Sequence, residues 1–294
     1  MTQITTEQFQ TWANYIYLLC GMRLVPEKAY LLQTRFSPLM RQLGCSDLDQ
    51  LYHKVVSDQT GSLRMAVIEA ITTKETYWFR DGTPFDILQR SILPELIKAR
   101  SGKGTIRIWS AACSTGQEVY SIAMIAKEAM LCHAGIDITI LGTDISDQAI
   151  ATASYGRYTD FEIGRGLPQD RLDRYFYRDG TAWRVRDELR VLVHFRRLNL
   201  MQPFAGLGRF DVVFCRNVAI YFSQEDRKRL FERIAEILQP PGYLIIGASE
   251  YLTGICNQFQ AHRCQTGVYY RLATAPSRQQ TPPAQAAVGL AAIR

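Results

Sequence analysis

At 294 residues, 47% of them apolar and 21% charged, the chain can bury a substantial core, and its composition excludes wholesale disorder. Its net charge of +6 is spread thinly, which leaves both an acidic protein and a nucleic acid open as partners on charge alone. No uncharged apolar run reaches the roughly 18 to 20 residues that span a bilayer, and MTQITTEQFQTW lacks the basic start and apolar core of a signal peptide. The expectation is a cytoplasmic protein of two domains without membrane insertion.

Residues 5–75 read as helices, because apolar positions recur at three-to-four spacing in Phe9, Trp12, Ile16 and Leu19 and again in Tyr30, Leu31, Phe36, Leu39 and Met40. Breaks at Gly21, Pro26 and Gly44 divide them. A helical domain over 1–78 follows. One of its helices carries Lys28, Arg35 and Arg41, which an ordinary solvated face would also explain.

Between this domain and the next lies Thr72-Thr73-Lys74-Glu75-Thr76-Tyr77-Trp78-Phe79-Arg80-Asp81, with three adjacent aromatic residues and an arginine. It suits an inter-domain staple, and domain junctions are also preferred ligand sites.

From about residue 105 the pattern changes to β-rich runs: TIRIWSAA (105–112), ITILGTD (138–144), VLVHFRRLNL (191–200), FDVVFCRN (210–217) and GYLIIGAS (242–249). Helical stretches at 117–130, 146–154 and 224–238 alternate with them, the signature of a parallel α/β sheet whose ligands bind beyond the C-terminal strand ends. The 155–190 segment is abnormally long for a connection; its Asp179-Gly180 between aromatic and Arg-rich flanks predicts an inserted β-hairpin subdomain. All ten basic residues of 151–200 are arginine, a choice that suits paired contacts with carboxylate or phosphate. The second domain is expected over 79–273, and the Ala-, Gln- and Pro-rich 274–294 as a disordered tail.

Three strand ends carry chemistry. The first runs through Ser110-Ala111-Ala112-Cys113-Ser114-Thr115-Gly116-Gln117-Glu118 into a helix, where small residues admit a ligand to free backbone N–H groups, although ordinary capping fits too. A single glycine gives little support to the GxGxxG turn of a dehydrogenase. The second ends at Asp144, placed to accept hydrogen bonds from the two hydroxyls of a ribose or simply to cap the following helix. The fourth runs into Arg216-Asn217-Val218-Ala219-Ile220-Tyr221-Phe222, which sets polar groups and rings over the same cleft. The seven cysteines and four histidines lack CxxC and HExxH spacings, so neither a disulfide framework nor a metal site is expected.

Taken in order, TYWFR, WSAACSTGQEVYS, LGTDIS, RRLNL and CRNVAIYF resemble the CheR family of bacterial chemotaxis receptor methyltransferases over about residues 1–272. The resemblance implies a Rossmann-like class I methyltransferase sheet with an N-terminal all-helical domain and an inserted antiparallel β-subdomain. It implies transfer of a methyl group from S-adenosylmethionine to glutamate side chains on the cytoplasmic helical bundle of chemoreceptors, leaving S-adenosylhomocysteine. By position, Lys74, Thr76, Arg80, Glu118, Asp144, Asn199, Leu200, Asn217 and Val218 match the family's cofactor contacts, with Arg80 and Tyr221 as orienting groups in catalysis. The family commonly has asparagine where this chain has Lys74. The basic helix would dock on the receptor, and the β-subdomain would hold a receptor tail peptide by strand addition. Two rival functions are a methyltransferase for RNA, against which the mild charge counts, and a nonenzymatic S-adenosylmethionine-binding regulator.

Overall fold

The computed structural model describes residues 4–265 and 267–273, so the tail expected over 274–294 lies outside the described residues. Four helices open the chain: α1 (Thr6–Cys20), α2 (Tyr30–Leu43), α3 (Leu48–Ser57) and α4 (Ser62–Ile71). Thr5 and Gln8 form a reciprocal capping box that starts α1, Gly21 closes it, and Gly44 closes α2, as the sequence breaks predict. Their apolar stripes meet in a core where Trp12, Ile16, Leu32, Phe36, Leu51, Val55 and Val67 are fully buried.

The second part begins with α5 (Thr83–Ile87), a π-helical turn (Leu88–Ile92) and α6 (Leu93–Ala99), none of which the alternating pattern after residue 105 announces. Then follow β1 (Gly104–Ala111), α7 (Gln117–Cys132), β2 (Ile136–Asp144) and α8 (Asp147–Tyr155). The insertion comprises β3 (Arg157–Thr159), α9 (Asp160–Ile163), α10 (Gln169–Tyr175), β4 (Phe176–Asp179), β5 (Ala182–Val185) and α11 (Asp187–Arg190). The chain returns through β6 (Val193–Arg197), β7 (Phe210–Cys215), α12 (Gln224–Ile237), β8 (Leu238–Ile246), β9 (Phe259–Cys264) and β10 (Gly267–Leu272).

The main sheet has the order β6-β2-β1-β7-β8-β10-β9, with its first five strands parallel and β10 and β9 added antiparallel. Period-two alternation divides it between two cores. Ile106, Ile108, Val212, Phe214, Tyr243 and Ile245 face α7 and the insertion, whereas Trp109, Ala111, Val213, Cys215, Leu244 and Ile246 face α12. All of β7 is buried, as expected for a central parallel strand covered on both faces. The insertion forms an antiparallel sheet of order β3-β5-β4, whose hairpin includes Asp179 and Gly180. Trp78, fully buried, fastens this insertion to the inter-domain segment: its indole N–H donates to the Glu162 carbonyl at 3.0 Å, and its backbone N–H to that of Arg165 at 3.1 Å. The aromatic run therefore serves as a staple at Trp78, while the flanking residues lead to the cleft.

Candidate active site

The strand order reverses about β1, and the crevice beyond the C-terminal ends of β1, β2, β6 and β7 holds a cleft whose open space, mouth included, is about 950 Å³. The inter-domain segment and the end of α1 close its other side. Thr76, Arg80, Glu118, Asp144, Asn199, Leu200, Asn217, Val218 and Tyr221 all line it. Residues separated by up to half the chain thus converge on one space.

The β1 end is shaped by left-handed backbone at Ala112 (φ 60°), Ser114 (φ 51°) and Gly116 (φ 98°). At Gly116 a side chain is excluded on steric grounds as well, because a Cβ there would lie 2.8 Å from the Cβ of Ala153 and 3.0 Å from the Tyr158 hydroxyl. Phe79, Asp81 and Asn217, which flank Arg80 or line the cleft, are also left-handed. Strained non-glycine backbone costs about 1 to 3 kcal/mol per residue and gathers where positioning matters. Here, among the described residues, all but Ser101 (φ 53°), in the turn between α6 and β1, lie at or beside this cleft.

Asp144 closes the turn. Its two carboxylate oxygens accept from the backbone N–H of Ser114 at 2.8 Å and of Ser146 at 3.0 Å. Burial raises its pKa above the usual aspartate value against the opposing pull of the Ser146, Ser114 and Ile145 N–H groups. The helix cap itself comes from Ser146, whose hydroxyl accepts from Ala149 N–H, so capping does not account for Asp144.

Glu118, in the first turn of α7, accepts from the Ser110 hydroxyl at 2.8 Å and from Arg216 at 2.7 Å. The Arg216 side chain is 1% exposed and reaches Asp81 at 2.8 Å and the Arg80 carbonyl at 2.8 Å with its other amino group. Arg216 and Asp81 each belong to a motif that the sequence singles out, but neither is assigned a role there; the structure pairs them beside the cleft. The guanidinium of Arg80 donates to the Glu75 carbonyl at 2.9 Å and lies over the Tyr77 ring, and it pairs with no carboxylate among the described residues.

Asn199 uses its amide to donate to the Leu19 carbonyl at 2.9 Å and to accept from Met201 N–H at 3.0 Å, which ties the end of α1 to the loop after β6. Leu200 and Val218 supply apolar wall, with Met22, Ile145, Leu198 and Phe222. Tyr221 sits on the loop after β7, and its carbonyl accepts from Arg23 N–H at 2.8 Å.

Lys74 stands apart. Its ammonium is 2.7 Å from both Glu69 and Gln148, and Lys74 is not among the residues that line the cleft. Its backbone keeps a place in the site, because its carbonyl accepts from the Ser114 hydroxyl at 3.2 Å. The reason is local: Glu69 also accepts from the Ser146 hydroxyl at 2.6 Å and from Gln148 N–H at 3.1 Å, making a clasp between α4 and α8 that draws the lysine outward. Among the described residues no cluster of His, Cys, Asp and Glu is arranged to hold a metal, and no helix is long and apolar enough to cross a membrane.

The donor set suits a nucleoside carrying an amino acid: a carboxylate for paired hydroxyls at Asp144, a second for an amine at Glu118, apolar wall for a base, and an unpaired guanidinium for a carboxylate. Comparison with known proteins agrees. Residues 74–268 match the family described as "CheR methyltransferase, SAM binding domain", and residues 7–72 match "CheR methyltransferase, all-alpha domain". A "Chemotaxis protein methyltransferase 1" of Pseudomonas aeruginosa is 43% identical over 267 residues, covering 90% of this chain and 97% of its own length. A "Chemotaxis protein methyltransferase" of Vibrio parahaemolyticus is 40% identical over 277 residues, covering 92% and 100%. More distantly, a "Chemotaxis protein methyltransferase" of Borreliella burgdorferi is 34% identical over 257 residues, covering 85% and 90%. With both family domains matched in order along one chain, the protein belongs to the CheR methyltransferase family and carries that family's S-adenosylmethionine-binding domain.

Proposed function

We propose that the protein methylates glutamate side chains on the cytoplasmic helical bundle of bacterial chemoreceptors, forming glutamyl methyl esters in the adaptation of chemotaxis. The observation that carries this reading is the convergence of Arg80, Glu118, Asp144 and Tyr221 on one cleft in a chain of this family. The names of its relatives supply the chemotactic setting.

S-adenosylmethionine, when bound, supplies an electrophilic methyl group on a sulfonium. Asp144 would hold the ribose, Glu118 the methionine amino group, and Arg80 the methionine carboxylate or the incoming substrate. Thr76, Asn199, Leu200, Asn217 and Val218 would complete the walls. Leu200 and Val218 would flank the base. The acceptor needs no catalytic base, because a glutamate carboxyl with a pKa of about 4.3 is already ionised at neutral pH. Catalysis would then rest on alignment and on exclusion of water, with the ring of Tyr221 offering a face to positive charge.

Receptor docking falls to exposed cations of the helical domain. Lys28 and Arg41 are exposed, whereas Arg35 is committed to the Ile71 and Thr72 carbonyls at 2.8 and 2.9 Å, where it closes the end of α4. Lys28 and Arg41 are therefore the better candidates. A receptor tail peptide would add to an edge of the β3-β5-β4 sheet, where β3 and β4 each pair on one side within that sheet. The proposed location is the cytoplasm. Peptide mapping of receptor fragments methylated by the purified protein tests the assignment: label on glutamate side chains supports it, and label confined to lysine, arginine or nucleic acid overturns it.

A further inference from the structure

Glu250 lies outside the cleft walls, at the turn after β8, yet its carboxylate joins the ends of two strands. One oxygen accepts from Asn217 N–H at 2.8 Å, just beyond β7, and from Gly247 N–H at 2.7 Å, just beyond β8. The other oxygen is buried without a hydrogen-bond partner. Burial raises the pKa of this carboxyl, against the pull of the Asn217, Gly247, Ala219 and Ile220 N–H groups, and among the described residues no cation compensates it. A buried carboxyl satisfied only by backbone is costly to keep and calls for a reason beyond stability.

The backbone around it is fitted to this one contact. Asn217 is left-handed (φ 56°), which turns its N–H toward Glu250, and its own loop then delivers Asn217, Val218, Tyr221 and Phe222 to the cleft. Gly247 leaves the carboxylate its approach: a Cβ there would lie 2.6 Å from the bonded oxygen of Glu250 and 3.1 Å from the Asn217 backbone nitrogen. Three residues from two strand ends are thus mutually matched, with Asn217 and Glu250 33 residues apart in sequence. We propose that Glu250 is a positioning residue for methyl transfer, which sets the loop from Asn217 to Tyr221 in the conformation that meets the cofactor and the acceptor. The assignment rests on the cleft being the cofactor site.

Calorimetric titration of the full chain with S-adenosylhomocysteine tests it, together with steady-state kinetics. Glu250→Ala should weaken binding about tenfold or more, because a freed N–H at Asn217 lets the loop relax. Glu250→Gln should stay within about threefold of the unaltered chain, since its amide oxygen can accept from the same two N–H groups. Leu189→Ala, a core truncation in the insertion, should lower the melting temperature and leave affinity unchanged; it separates positioning from stability. Should Glu250→Ala fail to fold, Gly247→Ala takes its place, with weakened binding again expected. Affinity within about twofold of the original for folded Glu250→Ala, or equal losses in Glu250→Ala and Leu189→Ala, would overturn the proposal, as would a Glu250→Gln as weak as Glu250→Ala. Absence of binding by the unaltered chain would overturn the cofactor site itself, and this assignment with it.

Discussion

Arg216 and Glu118 meet 2.7 Å apart across the floor of the cleft, and the contact joins the end of β7 to the first turn of α7 over 98 residues of sequence. Both side chains are largely withdrawn from solvent, at 1% and 13% exposure. Removing one partner of a buried ion pair strands the other. Arg216→Met should therefore lose about 3 kcal/mol of stability in urea denaturation. It should also weaken cofactor binding, because Glu118 and Arg80 are both held by this guanidinium. A variant as stable as the original would remove Arg216 from its structural role.

Asp144→Ala should weaken S-adenosylhomocysteine binding by about 1 to 3 kcal/mol through lost charge-assisted hydrogen bonds. Unchanged affinity by calorimetry would exclude the ribose role.

The same residue gives a pH dependence. Burial raises the Asp144 pKa above its ordinary value of 3.8, so in the free protein the carboxyl protonates at a higher pH than an ordinary aspartate. A ribose donates to the ionised form better than to the protonated one. Cofactor affinity should accordingly fall as pH drops through this raised value, and Asp144→Asn should flatten that segment of the profile. Titrations across that pH range with both proteins are the check; a slope that persists in Asp144→Asn belongs to another group.

Much of this architecture was legible in the chain. The five parallel strands announced themselves through β-branched runs between helical stretches, and the caps at Gly21 and Gly44 fall where the sequence breaks. β9 escaped because it is an edge strand with only Phe259 buried, so its sequence alternates weakly. The segment of α5 and α6 buries Phe85, Leu88, Ile92, Leu96 and Ile97 at three-to-four spacing, so its helical period was legible as well, though it falls before the β-rich pattern begins. Within the site, residues announced by local motifs converged on the cleft, whereas Asp81 and Glu250 matter only through tertiary meetings that no local pattern records. Arg35 shows the reverse error of inference: a basic residue on a helix reads as a free cation, but the nearby carbonyls of α4 claim it.

Gly116→Ala should destabilise the fold by about 2 to 4 kcal/mol, combining left-handed backbone strain with overpacking against Ala153. Denaturant midpoints of the two proteins test this. A shift of a few tenths of a kcal/mol would mean that the turn relaxes without cost.

The clasp at Glu69 predicts a stability change on acidification. Burial alone would raise this carboxyl, but hydrogen bonds from Lys74, Ser146 and Gln148, with the Lys74 charge, outweigh it and hold the pKa below its ordinary 4.5. A lowered folded value contributes stability that is present above 4.5 and is lost as pH falls through the lowered value. Glu69→Gln should remove that acid-sensitive increment, about 1 kcal/mol for a partly exposed pair, and Lys74→Met should do much the same with far less effect on cofactor affinity than Asp144→Ala. Equal losses of affinity in the two variants would give the Lys74 side chain a part in binding.

The central claim is the chemistry of the product. The purified protein is incubated with methyl-labelled S-adenosylmethionine and cytoplasmic chemoreceptor fragments, and the labelled material is then exposed to mild base. Glutamyl methyl esters release volatile labelled methanol, so the account predicts base-labile label on the receptor fragment, abolished in Arg80→Ala and in Asp144→Ala. Confirmed cofactor binding with no base-labile label on any receptor fragment would contradict it.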